Sequence, residues 1–193
     1  MAERKRLIIG VSGASGSSLA YHLMQTLSKN NLVETYLIMT NSAKRTWELE
    51  MQQPLHAMID LADHVIDNQD IAACCASGSF PIDGMIIVPC SMKTIAGICC
   101  GYSDTLLLRA ADVAIKEKRK LVLCFRENPL STIHFHNLAS LSSIQNVYLM
   151  PMMMTYYHQP QSIEDMEASL IGKMLDVFDI TYEKYQRWMY ETI

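Results

Sequence analysis

Two short turns of small residues hold most of the chemical potential of this sequence. The first is Gly10-Val11-Ser12-Gly13-Ala14-Ser15-Gly16, directly after the apolar run Leu7-Ile8-Ile9. The second is Pro89-Cys90-Ser91-Met92-Lys93-Thr94, directly after Met85-Ile86-Ile87-Val88. A strand that ends in such a turn and opens a helix leaves backbone N–H groups unpaired, and the helix dipole adds positive potential at the same place. Two such turns in one open sheet form a cradle for a phosphate-bearing group, a nucleotide or a flavin. The first turn is not Gly-x-Gly-x-x-Gly and lacks the Gly-Lys-Ser/Thr of a P-loop, which argues against NAD and ATP. Ser15 is not in a Gly-x-Ser-x-Gly elbow, which argues against a serine hydrolase.

The elements that must position these turns are legible as alternating apolar strands and helical patterns. Strands are predicted over Arg6–Ser12, Glu34–Thr40, Gly84–Cys90, Leu121–Phe125 and Val147–Met150; they are short and rich in Ile, Val and Leu, as in a sheet covered on both faces. Helices are predicted over Ser17–Lys29, Asn41–Met51, Asp104–Lys118, Ser131–Ser143 and Ser162–Phe178, with a short helix over Tyr182–Tyr190. The alternation specifies a single α/β domain over residues 1–193, a doubly wound, mostly parallel sheet with helices on both faces and a C-terminal helical tail from about 180. In such sheets ligands bind beyond the C-terminal ends of the strands, where both turns, Thr40, Arg126 and Pro151 fall. The run Met150-Pro151-Met152-Met153-Met154-Thr155-Tyr156-Tyr157 lies at that end too, as an adaptable apolar wall, a buried loop or a subunit contact.

Composition narrows the class further. Of the 193 residues, 50% are hydrophobic and 19% charged, which fits a globular chain with a sizeable core. A net charge of −4 gives no electrostatic case for nucleic acid. The apolar run after Met-Ala-Glu-Arg-Lys-Arg is too short for a signal peptide, and no stretch approaches the ~20 apolar residues of a membrane span, so a cytoplasmic protein is expected. The six cysteines include the vicinal pairs Cys74-Cys75 and Cys99-Cys100 but no Cys-x-x-Cys. They are expected to be small buried hydrophobes in a reducing compartment, and nothing has ligand spacing for a metal.

One longer constellation is more specific. Ala76-Ser77-Gly78-Ser79-Phe80 is followed by the Gly84–Thr94 segment, then by Arg109-Ala110-Ala111-Asp112, Lys116-Glu117, Leu121-Val122-Leu123-Cys124-Phe125-Arg126-Glu127-Asn128-Pro129-Leu130 and Ile133-His134. In this order the segments resemble the UbiX-type flavin prenyltransferases, and the resemblance runs from Leu7 to about Trp188. It implies a Rossmann-like flavoprotein that joins a dimethylallyl group from a dimethylallyl monophosphate or diphosphate to N5 and C6 of reduced FMN, the product serving a UbiD-type (de)carboxylase. It also implies a homo-oligomer, a dodecamer in relatives, whose subunit contacts complete the site.

Carried over by resemblance, the flavin contacts are Gly13, Ala14, Ser15, Thr40, Ser91, Met92, Lys93, Thr94 and Arg126. Glu50 and Glu127 match the family's acid/base carboxylates, with Ser15 and Lys116 as further catalytic positions; a buried carboxylate of raised pKa suits the proton transfers. Arg109, Lys116, Tyr157 and Lys173 match the residues that hold the prenyl phosphate, whose departure needs cations around the leaving oxygens. Seen in isolation, Lys116 and Lys173 read as surface lysines. Lys173 stands where the family usually has arginine, and Met152, Met153 and Met154 replace a proline- and alanine-rich segment. These two departures motivate an alternative, an FMN-binding carrier subunit of an aromatic-acid decarboxylase complex without prenyl transfer. A flavin-dependent cysteine decarboxylase is disfavoured, because Met153-Met154-Thr155 offers no Asn for a substrate clamp.

Overall fold

The computed structural model describes residues 4–187. Six strands form its sheet: β1 (Lys5–Val11), β2 (Val33–Met39), β3 (His64–Asp67), β4 (Gly84–Cys90), β5 (Lys120–Phe125) and β6 (Val147–Pro151). Their order is β3-β2-β1-β4-β5-β6 and every pairing is parallel. The order reverses between β1 and β4, which are joined in register from Leu7 opposite Gly84 to Gly10 opposite Ile87. That pairing sets the two small-residue turns side by side at the switch point of the sheet, where a crevice must open.

Among the described residues seven α-helices cover the faces: α1 (Ser17–Ser28), α2 (Asn41–Glu50), α3 (His56–Ile59), α4 (Met92–Cys99), α5 (Leu106–Lys116), α6 (Thr132–Ser142) and α7 (Ile163–Asp176). Successive strand residues face opposite ways. Leu7, Ile9 and Val11 therefore pack with Leu19 and Leu23 of α1, Trp47 of α2 and Ile171 and Met174 of α7. Ile8, Met85, Ile87, Leu121 and Leu123 pack on the other face with Ile95 of α4 and Leu107 and Ala111 of α5.

Three expectations need correction. β3 carried no strand prediction; it is a short edge strand with three of its four residues exposed, so it lacks an apolar pattern. Residues 182–187 form a turn and irregular chain instead of the start of the helix predicted over Tyr182–Tyr190, whose remaining residues lie outside the described ones. Here tertiary contact overrides propensity: the Tyr185 ring fills the space where a side chain at Gly172 would lie. The cysteines also divide. Cys75, Cys90 and Cys124 are buried and Cys99 partly so, whereas Cys74 and Cys100 are exposed; all six are free thiols. Burial pushes the Cys124 thiol up to about 12, which leaves it inert.

Candidate functional site

Ser12 joins the two turns. Its amide and its hydroxyl both donate to the Pro89 carbonyl, at 3.1 and 2.9 Å, and the hydroxyl accepts from the Ser91 amide at 2.7 Å. The side chain is buried, so these bonds are not traded with water. Sequence reasoning quoted Ser12 within the first turn and gave it no role. Its signal is a polar residue directly behind the buried run Leu7–Val11, where burial demands a partner.

Two helix N-termini open beside this link. Thr40 caps α2 by accepting from the Ala43 amide at 3.0 Å, and Ser91 caps α4 by accepting from the Thr94 amide at 3.3 Å. Gly13, Thr40, Ser91, Lys93 and Thr94 line one cleft of about 600 Å3, a size that suits a cofactor. Gly13 has to be glycine, because a Cβ there would lie 2.4 Å from the Cβ of Ser42. Met92 contributes differently from the expectation of a cofactor contact: its side chain packs into the core beneath the sheet, leaving its backbone N–H in the first turn of α4. Asn68, Gln69, Tyr102 and Asp104 also line the cleft and were not predicted. Asn68 is buried and its side-chain oxygen accepts from the Leu107 amide at 3.0 Å, which fixes the start of α5. It was missed because it follows β3, the strand that was missed.

The first turn has a second function. Gly16 precedes α1 without a side chain to cap it, and Glu50, from the end of α2, takes that place. Its carboxylate accepts from the Gly16 amide at 3.0 Å and the Ser17 amide at 2.8 Å, and from the Ser15 hydroxyl. Ser15 and Glu50 are thus brought together. The expectation of a raised carboxylate pKa is reversed here: partial burial pulls the Glu50 carboxyl up, but these hydrogen bonds outweigh it and hold it below the ordinary value. Glu50 is therefore ionised at neutral pH, the state in which a carboxylate is able to accept a proton.

Arg126 and Glu127 extend beyond β5, and the Arg126 amide donates to the Cys90 carbonyl at 3.3 Å, which ties them to the second turn. Both side chains are exposed in the single chain, so Glu127 is not the buried carboxylate that was expected. Its carboxylate accepts from the Asn128 amide at 3.2 Å.

The four expected phosphate ligands fall into two groups. Tyr157 and Lys173 line a second, largely apolar cleft of about 780 Å3 between the end of β6 and α7, together with Met153 and Leu170. Lys116 lies at the last turn of α5, just before β5 begins, near the starts of the strands and on the face that α5 covers. It pairs with Glu117 at 2.8 Å beside Gly78. Arg109, on the same helix, donates to the Ala76 carbonyl at 3.2 Å and to Asp112 at 2.7 Å. α5 packs on one face of the sheet and α7 on the other, so one chain holds Arg109 and Lys116 across the sheet from Lys173.

The fold and the cleft define a doubly wound flavoprotein, and the family model described as Flavoprotein matches residues 1–186. A probable UbiX-like flavin prenyltransferase of Sedimentibacter hydroxybenzoicus is 44% identical over 95% of this chain and 96% of its own length. The crystal structure of a UbiX protein in complex with FMN and dimethylallyl pyrophosphate superposes with a TM-score of 0.94 at 40% identity, covering 97% of this chain and 99% of the other. A dodecameric FMN-dependent UbiX-like decarboxylase from Escherichia coli O157:H7 gives 0.93 at 44% identity, covering 96% and 100%. The chain belongs to the UbiX-type flavin prenyltransferases.

Proposed function

We propose that the chain is a flavin prenyltransferase that joins a dimethylallyl group from dimethylallyl monophosphate or diphosphate to N5 and C6 of reduced FMN, and that the product passes to a UbiD-type (de)carboxylase. The observation that carries this reading is the pair of Ser12-linked turns opening on one cleft at the switch point, in a chain of UbiX-type sequence from end to end.

The residues present fit FMN. The α2 and α4 N-termini and the Gly13-Ala14-Ser15 turn supply N–H donors, and Thr40, Ser91, Lys93 and Thr94 supply hydroxyls and a cation on the cleft wall. Arg126 stands beside the second turn as a further cation. Reduced FMN, when bound, supplies the nucleophilic N5 and C6. Glu50, ionised and held by Ser15, accepts a proton; Glu127 handles the other proton at ring closure. Arg109, Lys116, Tyr157 and Lys173 hold the phosphate and neutralise the charge that grows on it as the allylic C–O bond breaks. Their separation within one chain supports a site shared between subunits of a homo-oligomer, a dodecamer by family likeness. Among the described residues no helix is long and apolar enough to cross a membrane. The free thiols suit a reducing compartment, and we place the protein in the cytoplasm.

Anaerobic incubation with reduced FMN and dimethylallyl monophosphate, followed by mass analysis of the flavin, tests the reading. The flavin is expected to gain one five-carbon prenyl unit. Unmodified FMN with both the monophosphate and the diphosphate would overturn it and leave an FMN-carrying subunit. In the same assay Glu127→Gln is expected to stop turnover while FMN affinity, read by titration, stays within about twofold of wild type, because the amide keeps the shape and loses the proton chemistry.

A further inference from the structure

Glu167, on α7, is a buried carboxylate that the proposed chemistry does not use; only 3% of the residue is exposed. A charge withdrawn from water needs hydrogen bonds to its oxygens, and both oxygens find them on one neighbouring helix. One oxygen accepts from the Ser18 hydroxyl and the other meets His22 Nδ1 at 2.5 Å. Ser18 and His22 are four residues apart on α1 and so share a face of it. Around this polar clasp the contact between α1 and α7 is apolar, from Leu19 and Leu23 to Ile171 and Met174. Apolar side chains tolerate small shifts, whereas a buried carboxylate that loses its donors does not.

The clasp connects two parts of the proposed site. Ser18 follows Ser17, whose amide binds Glu50 at the first turn. Lys173 follows Glu167 by six residues on α7, about 9 Å along the helix axis. We propose that Glu167, through Ser18 and His22, is a positioning residue that fixes Lys173 relative to the flavin cradle and so sets affinity for the phosphate of the prenyl donor. This rests on the reading above in which Lys173 takes that phosphate.

The test is a double-mutant cycle of Glu167→Gln and Lys173→Ala, read as KM for dimethylallyl monophosphate, kcat and FMN affinity, with thermal unfolding to establish that each variant folds. Glu167→Gln is expected to raise KM about tenfold and to leave FMN affinity within about twofold. In the Lys173→Ala background it is expected to add nothing. Equal effects in both backgrounds, KM and FMN affinity weakening together, or an unchanged KM in folded protein would each overturn the proposal. Ser18→Ala, which removes one donor and keeps the charge paired with His22, reads the same cycle if Glu167→Gln does not fold. If wild-type protein binds dimethylallyl monophosphate by calorimetry but makes no prenylated flavin, the transferase reading fails while the cycle, read as Kd, still decides the clasp. A wild type that binds neither the monophosphate nor the diphosphate overturns both.

Discussion

At the Glu50 carboxylate, partial burial raises proton affinity, while the Ser15 hydroxyl and the Ser17 and Gly16 amides lower it and win. Because the folded-state value lies below the ordinary 4.5, the group adds stability that is fully present above that value and is lost as pH falls through the folded one. Glu50→Gln is therefore expected to lower the urea midpoint at pH 7, with the gap to wild type closing as pH falls below about 4.5. A gap that persists unchanged however far the pH falls would show that charge plays no part in capping α1. The same residue explains why sequence reasoning grouped Glu50 with Ser15, which the fold brings into contact, and misjudged the electrostatics. The resemblance placed Glu50 and Ser15 in one site, but the pKa direction depends on amides that only the folded α1 start presents.

The two turns are built as one element by Ser12, which spans from β1 to β4. Ser12→Ala leaves the partly buried Ser91 amide without its acceptor, at an expected cost of about 1 kcal/mol by urea denaturation. FMN affinity is expected to fall about tenfold, since the α4 start loses its anchor; unchanged affinity in fluorescence titration would mean that the α4 cap alone holds the turn. Gly13→Ala acts on the other side of the cleft. Its new methyl would lie 2.4 Å from the Ser42 Cβ, so the turn and the α2 start must part. A loss of FMN affinity of about tenfold or more, with the fold retained by circular dichroism, is the expected outcome. At this scale the strands β1, β2, β4, β5 and β6 and the long helices were legible within a residue or two, because apolar runs and capping residues mark them. β3 was not, since an exposed edge strand needs no hydrophobic pattern. The 182–187 segment was not, since Tyr185 is held by a contact with distant Gly172.

For the whole molecule, the placing of Lys116 and Lys173 on helices that cover opposite faces of the sheet is the decisive fact. If one site draws on two subunits, Lys116→Ala and Lys173→Ala chains, each expected to be at least about tenfold down in kcat/KM, should regain activity when co-expressed, because mixed oligomers contain sites with both lysines intact. Mixed particles without regained activity would mean that both lysines serve a site within one chain. The sequence by itself determined the alternation of strands and helices, the parallel sheet, the two small-residue turns and the family, since all of these follow from local pattern and from residues close in the chain. The tertiary structure alone decided that Ser12 links the turns, that Met92 turns into the core, that Glu50 is held ionised, that Glu167 clasps α1 and that the proposed phosphate ligands are split. Each of those depends on which groups a folded chain brings near or withdraws from water, and neither burial nor distance is written in residue spacing.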